Sequence, residues 1–429
     1  MNEHDSEKIA GMLGSMGYKE TQDHTNADII VFNTCLIRKN AELKVFGKVG
    51  SLKQLKEDNP DLIIAVGGCM MQQEGPVDEL YKKYPQVDII FGTHNIHKLP
   101  SLRNQVKHGD ERIVNVWEED KGLIPDLPSK RRNEFQAWVT VIQGCDNYCS
   151  YCIVPHVRGS ERSRPMNDIV AEVKELVADG VIDITLLGQN VNSYGLDLEE
   201  NYDFPDLLNE LAKIDGLAKL KYMTSHPKDL SEKLIETVAS NANISKHFHL
   251  PVQSGSSKIL KAMNRKYDRE KYLSLIDKIR ERVPDAVITT DFIVGFPGET
   301  ESDFEETLSL VDKVQFDMAY TFAYSPREGT PAAKKEDQIS SDEKHRRLQA
   351  LMKKQNQISY EVNQKLIGKE IDVLVEGESK KDPDYFSARS DGNKLVIIPA
   401  KTNKMIGNII KTKINEAGSW TLYGDIVSY

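Results

Sequence analysis

Three cysteines, Cys145, Cys149 and Cys152, stand in a C-x3-C-x2-C spacing. Thiolates that close in sequence can converge on one metal centre. The apolar, alternating run Ala137-Trp-Val-Thr-Val-Ile-Gln-Gly144 precedes them and predicts a strand. The cysteines therefore sit on the loop that leaves a strand. Three thiolates suit an iron–sulfur cluster, because incomplete ligation leaves one iron open. Structural zinc wants four ligands, and His156 would supply the fourth beside Cys145, Cys149 and Cys152. A third reading is three reduced structural cysteines. The spacing favours the cluster.

The remaining two of the five cysteines, Cys35 and Cys69, follow the apolar runs Ala27–Asn33 and Leu62–Gly68. Both runs read as buried strands, and both cysteines stand at carboxyl ends, where open α/β sheets place their sites. Each alone would read as an apolar core filler. Two at one sheet edge suggest two ligands of a second centre. A βαβ series normally opens on a strand, yet this chain opens on an amphipathic helix, Asp5 to Tyr18. One strand, and a third ligand after it, are expected upstream of Met1.

The elements that must position these residues can be read next. Helices are expected up to about Leu55 and over Val77–Tyr84, with a third strand at Val87–Gly92. That is a doubly wound α/β pattern. Residues 119–133 read as a linker, polar and carrying Pro125, Pro128 and the basic run Lys130-Arg-Arg132. Strands then recur at 137–144, 182–188, 218–224, 247–252, 286–294 and 317–324, with helices between them. Six such units predict a partial (β/α) barrel; another open doubly wound sheet is the alternative. The charged helix 341–366 reads as a solvated face. Five short strands after Gly368 predict a small OB-like β-barrel, a fold that often grips RNA.

Barrel sites lie at strand carboxyl ends. Those ends carry Gln189 and Asn190, Ser225-His-Pro227, Gln253-Ser-Gly255, Gly295-Phe-Pro-Gly-Glu299 and Tyr324-Ser-Pro326. Each has a plainer reading. Gln253 and Ser254 can cap the next helix, Gln189 and Asn190 can pack their loop, and Gly295–Glu299 can be a tight turn. Arg158 and Arg162 either make salt bridges or contact substrate phosphate.

Composition sets outer bounds. The chain has 429 residues, 39% hydrophobic and 28% charged, as in ordinary globular proteins of two or three domains. No apolar run approaches a membrane span and no signal peptide opens the chain. An odd, motif-bound set of cysteines predicts a reducing cytoplasm. The formal net charge of −10 argues against a nucleic-acid partner only weakly, since a local basic face can bind phosphate.

C-x3-C-x-aromatic-C, with Tyr151 as the aromatic, resembles the signature of the radical S-adenosylmethionine (SAM) enzymes. The domain order is similar to that of the methylthiotransferase family within them. The matching residues are Asn33-Thr-Cys35-Leu-Ile-Arg38, Gly67-Gly-Cys69 with Gln72-Gln-Glu74, Gly188-Gln-Asn-Val-Asn192, Ser225-His-Pro227, Leu250–Ser256 and Ala323-Tyr-Ser-Pro326. The resemblance implies four segments: a methylthiotransferase N-terminal domain over 1–118, the linker, a radical SAM barrel with its trailing helix over 134–366, and a TRAM domain over 367–429. It implies a [4Fe-4S] cluster on Cys145, Cys149 and Cys152, whose open iron is chelated by SAM. One electron then cleaves SAM to a 5′-deoxyadenosyl radical. SAM would lie near Tyr151, Gln189, Asn190, Gln253, Ser254 and Gly295. A second [4Fe-4S] cluster would use Cys35, Cys69 and a cysteine absent from this chain, and would supply sulfur. The family's first cysteine sits in Gly-Cys-Gln-Met-Asn, and this chain starts at that Met-Asn.

The implied reaction adds a methylthio group to carbon 2 of N(6)-dimethylallyladenosine beside the anticodon of tRNA. An electron donor such as flavodoxin or ferredoxin is implied too. Sister enzymes act on threonylcarbamoyladenosine in tRNA or on a ribosomal-protein aspartate; Met1-Asn2 favours N(6)-dimethylallyladenosine over both. A non-catalytic, zinc-stabilised RNA-binding protein is the alternative from another class.

Overall fold

The computed structural model describes residues 1–36, 39–109, 112–117 and 127–428. Ile37 and Arg38 of the first motif, and Pro125 with most of the linker, lie outside them. The chain folds as two compact units. One comprises Met1–Glu134, Gln143–Asp146 and Ile153–Arg164; the other comprises Phe135–Ile142, Asn147–Cys152 and Pro165–Tyr429.

The first unit is built on a parallel sheet of four strands: β1 (Ile29–Thr34), β2 (Ile63–Gly68), β3 (Ile89–Phe91) and β4 (Ile113–Asn115), in that spatial order. Helices Asn2–Ser15, Lys39–Ser51, Glu74–Lys83 and Leu99–Lys107 accompany it. Strand β2 shows why the runs are continuously apolar. Ile64 and Val66 enter one core with Val49, Leu80 and Ile90. Ile63 and Ala65 enter another with Ile9, Met12 and Phe91. A strand covered on both faces has no polar side to alternate with. The fourth strand was not expected. It is three residues long, and its burial is only partial, so no apolar run marks it.

The second unit opens with six parallel strands. They are β5 (Gln136–Thr140), β6 (Asp183–Leu187), β7 (Lys219–Tyr222), β8 (His247–His249), β9 (Val287–Val294) and β10 (Met318–Ala323). They pair as β5-β6-β7 and β8-β9-β10, and a parallel bridge from Leu220 to Ile244 spans the two sets. This is the expected open (β/α) barrel, and not a doubly wound sheet. Its helices are firmly started. Asp203 with Asp206, and Thr300 with Asp303, form capping boxes, which satisfy two of the orphan N–H groups at each helix start.

The helix Ser341–Gln364 is not simply solvated. Arg347, Leu351, Gln355, Ile358 and Ser359 are buried along one stripe. A closed barrel follows: β11 (Glu370–Glu378), β12 (Tyr385–Ser390), β13 (Leu395–Pro399), β14 (Ile409–Ala417) and β15 (Thr421–Ser428), ordered β11-β12-β13-β15-β14. It docks at the amino ends of the larger barrel's strands. Lys394 pairs with Asp317 at 2.6 Å, and Ser245 Oγ donates to the Asp391 carbonyl at 2.6 Å. A Cβ on Gly392 would fall 2.2 Å from Val287 Cγ2. The carboxyl ends, where the motifs stand, lie at the opposite end of the strands.

Candidate active site

The cysteine loop is held by its backbone. Gly144 has φ +78°, and a Cβ there would fall 1.9 Å from the Ser160 carbonyl oxygen; Cys145 N donates to Gly159 O at 3.1 Å. Further on, Ser150 N donates to Met263 O at 2.9 Å, and Ala332 N donates to Ser150 O at 2.8 Å. Asn264 Nδ2 donates to Tyr148 O at 2.8 Å, which fixes Tyr148 at φ +45°. Tyr151 packs against Ile259, Met263, Phe296 and Tyr324, and its burial pushes the phenol well above its usual range.

Arg265 is the electrostatic centre of this loop. Its Nη1 lies 3.4 Å from Cys149 Sγ, Nη2 donates to Pro251 O at 2.6 Å, and Nε donates to Tyr267 Oη at 2.8 Å. Burial works against the cation, and Tyr151, Tyr267 and Cys149 more than offset it. A buried guanidinium therefore stands against the Cys149 sulfur. It suits a thiolate donor set carrying net negative charge, such as a thiolate-ligated iron–sulfur cluster. Zinc fits poorly. Among the described residues, no three His, Cys, Asp or Glu side chains converge on a single-ion site. His156 is exposed on the short helix Val154–Arg158. A cubane spreads its thiolates further apart than one ion does.

The candidate SAM residues divide by what their polar groups already do. Asn190 is committed: Nδ2 donates to Asp229 Oδ2 at 2.7 Å, and Oδ1 accepts from His226 N at 3.0 Å. Ser254 is fully buried, and its hydroxyl accepts from Ser256 N at 3.2 Å. Gln253, at φ +73°, is clamped to β9, donating to Asp291 O at 2.8 Å and accepting from Ile293 N at 2.9 Å. Gln189 Oε1 and both amide atoms of Asn192 are buried with no partner. These three atoms hold open hydrogen-bonding capacity at the end of β6, as a site awaiting a polar ligand does. Asn192 was not singled out from sequence. Gly295, at φ +71°, lies under Lys344, whose Cγ would be 2.3 Å from a Cβ there.

Cys35 and Cys69 emerge together. Thr34 and Gly68 are the last register partners of β1 and β2, so each cysteine is the next residue on a neighbouring parallel strand. Cys69 is 9% exposed, and burial raises its thiol above the usual range. Arg158 is the cation at this edge. Its Nε lies 3.2 Å from Cys69 Sγ, and its Nη2 pairs with Asp5 Oδ2 at 2.9 Å. The salt-bridge reading of Arg158 therefore holds, with a thiol as an unexpected second partner.

Three family models match the chain: "Radical SAM superfamily" over 139–311, "Uncharacterized protein family UPF0004" over 1–92 and "TRAM domain" over 364–427. A tRNA-2-methylthio-N(6)-dimethylallyladenosine synthase of Acetivibrio thermocellus is 51% identical over 427 residues, covering 100% of this chain and 89% of that protein. One of Clostridium botulinum is 52% identical, covering 99% and 94%. The chain belongs to the tRNA-2-methylthio-N(6)-dimethylallyladenosine synthase family. Among solved structures, the radical SAM methyltransferase TsrM of Kitasatospora setae matches with TM-score 0.55 at 14% identity. That match covers 77% of this chain and 73% of TsrM, and is a likeness of fold. No helix among the described residues is long and apolar enough to cross a membrane.

This synthase-family barrel has a polar lumen that the sequence reading passed over. Phe248 is buried in the core, so the flanking His247 and His249 point to the other side of β8. Thr289 Oγ1 bridges them, 2.8 Å from His247 Nε2 and 2.9 Å from His249 Nδ1. His249 Nε2 lies 3.6 Å from Asp291 Oδ1. Burial pulls His247 down to about 3 and His249 to about 4, and pushes Asp291 up to about 6. The signal was the alternation His247-Phe-His249 itself, an inverted strand pattern with the apolar residue between two polar ones.

Proposed function

We propose that this chain adds a methylthio group to carbon 2 of N(6)-dimethylallyladenosine in tRNA. The observation that carries this reading is its identity, near 51% over the full chain, to synthases of that name. Cys145, Cys149 and Cys152 would hold a [4Fe-4S] cluster. When bound, the cluster supplies the electron that cleaves SAM reductively. Arg265 sets a positive charge 3.4 Å from Cys149 Sγ. Gln189 Oε1 and the amide of Asn192 would offer their unpaired atoms to SAM, while Asn190, Gln253 and Ser254 shape the loops around them. Tyr151 and Gly295 close its apolar side. Cys35 and Cys69 would supply two of the thiolates for a second [4Fe-4S] cluster, which would serve sulfur transfer.

The division proposed is 1–118, 119–133, 134–366 and 367–429, with the last segment gripping tRNA. A cytoplasmic flavodoxin or ferredoxin is the proposed electron donor. The test is nucleoside analysis of tRNA from cells that lack their own synthase and express this chain. Methylthiolated nucleoside with the native chain and none with Cys149→Ala is expected. Unmodified dimethylallyladenosine in both, from a chain loaded with iron, would sink the reading.

A further inference from the structure

The interior of the larger barrel is neither apolar nor filled. Closed (β/α) barrels are normally plugged by branched apolar side chains. Here Leu220, Phe248, Phe292 and Ala319 enter the core between strands and helices, so their neighbours Lys221, His249, Asp291 and Tyr320 face the lumen. Tyr320 is 46% exposed, and Met223, just past β7, is 43% exposed, so the lumen is open to solvent. Asp291 and Tyr320 are register partners on β9 and β10, and the His249 ring meets Tyr320 edge-on with centroids 6.1 Å apart. Among the described residues no hydrogen bond reaches the Asp291 carboxyl; His249 Nε2 lies 3.6 Å from Oδ1, and these side chains form no metal site. Burial lifts the carboxyl to about 6 against the pull of Arg265, so at neutral pH it is ionised and only accepts hydrogen bonds. A largely buried carboxylate without a donor lowers stability, and in a cleft such a group marks a functional site.

We infer that Asp291 is a specificity-determining residue that accepts the exocyclic N6–H of the substrate adenine, with the Tyr320 ring as the face against which the base lies. The inference rests on the substrate proposed above. N(6)-dimethylallyladenosine keeps a single N6–H, and that donor shares one edge of the ring with carbon 2. Strand β9 sets the height of the contact. Asp291 and Ile293 lie on one face of it, two residues or about 7 Å apart. Ile293 and Tyr151 of the cysteine loop pack against the same cluster, which includes Phe296 and Tyr324. A base held at N6 by Asp291 can therefore turn carbon 2 up toward the cysteine loop. Hydrogen bonds to an ionised acceptor are the stronger kind, and a site built around one donor rejects an analogue that lacks it.

The experiment compares two anticodon stem-loop RNAs on the full chain by fluorescence anisotropy at fixed salt. One carries N(6)-dimethylallyladenosine beside the anticodon. The other carries the same base methylated again at N6, so that no N6–H remains. The native chain should bind the first about ten- to a hundred-fold more tightly, the usual strength of a hydrogen bond to a charged group. Asp291→Leu should bind both alike; a preference due only to the bulk of the extra methyl would survive this change. Tyr320→Ala should weaken both by a similar factor, because stacking does not read N6. Equal affinity of the native chain for the two RNAs overturns the inference, and so does a preference kept in full by Asp291→Leu. Should Asp291→Leu not fold, Asp291→Asn decides: its uncharged amide oxygen should keep a reduced preference, and an undiminished one overturns the inference. A native chain that binds neither RNA more tightly than a stem-loop with uridine at that position fails the substrate reading itself, and the role of Asp291 with it.

Discussion

Glu299 and Gly295 are joined by a short bond: the Gly295 N–H donates to Glu299 Oε2 at 2.6 Å. The same oxygen receives Arg347 Nη1 at 2.7 Å. Glu299 is 2% exposed, and burial raises its carboxyl above the usual range even though Arg347 and the Gly295 N–H pull the other way. The helix Ser341–Gln364 thereby reaches the loop proposed to flank SAM. At its other end Gln364 Nε2 donates to Ala417 O in the small barrel at 2.6 Å.

Breaking this pair should cost more than removing it. Arg347→Met leaves a buried carboxylate without its cation and should destabilise by about 3–5 kcal/mol. The double variant with Glu299→Gln should recover part of that loss. Urea denaturation of the single and double variants measures the coupling. Simple additivity would show that the pair does not act as a unit.

Arg265→Met should lower iron occupancy or SAM cleavage by about 10–100-fold, the usual cost of losing a group behind a metal ligand. Arg265→Lys should lie between, since one ammonium cannot reproduce the donors to Cys149, Pro251 and Tyr267 together. Unchanged iron content and cleavage in Arg265→Met would remove it from the site.

The six larger-barrel strands and the five of the small barrel stand close to where apolar runs and turn residues put them, because each run packs against a core whose periodicity is local. What sequence did not reveal was mostly non-local. Arg265 and Cys149 are far apart in the chain, and only folding brings the guanidinium to the thiolate. Arg158 reads alike as a surface cation or a buried one until Asp5 and Cys69 are seen around it. The strand expected over 137–144 leaves its ladder at Thr140, ahead of the strained Gly144.

Buried histidines make the fold acid-sensitive. His226 is pulled down by burial to about 2, as His247 and His249 are to about 3 and 4. All three stay neutral in the native state while the unfolded chain protonates them below about 6.5. The unfolded state then binds more protons, so stability falls as pH drops. Asp291 works oppositely: its folded value is raised to about 6, so the native state takes up a proton that the unfolded chain does not until about 4. Three histidines against one carboxyl leave two protons between about pH 6 and 4, or roughly 3 kcal/mol per pH unit. Denaturant midpoints at pH 7, 6 and 5 test this, and Asp291→Asn should steepen the loss. A flat profile would contradict it.

The small barrel presents Tyr385 and Tyr423, 39% and 41% exposed, around a cavity of about 820 Å³ that Arg389, Lys380 and Lys381 also line. Exposed aromatics beside cations suit unstacked bases. Tyr385→Ala and Tyr423→Ala should each weaken tRNA binding by about 1–3 kcal/mol, the usual worth of one stacked base. Fluorescence anisotropy at fixed salt reads this, because phosphate contacts vary with salt. Equal affinity for both variants would place the tRNA elsewhere.

Gly68 governs how closely Cys35 and Cys69 approach. It has φ +100°, and a Cβ would fall 2.5 Å from Thr34 O and 2.7 Å from Thr34 N. Those are backbone atoms of the neighbouring strand, so no side chain can swing aside. Gly68→Ala must part the ends of β1 and β2 or abandon its conformation, costing more than about 1 kcal/mol. The two cysteines lie immediately beyond that contact and should separate with it. Gly75, in the helix Glu74–Lys83, is the control: a Cβ there meets nothing within 4 Å. Gly75→Ala should be neutral or stabilising by about 0.5–1 kcal/mol. Thermal melts of the two variants beside the native chain separate the two effects. Gly68→Ala should melt earlier and Gly75→Ala should not. A Gly68→Ala protein that melts with the native chain would mean that the strand ends tolerate a side chain at this contact.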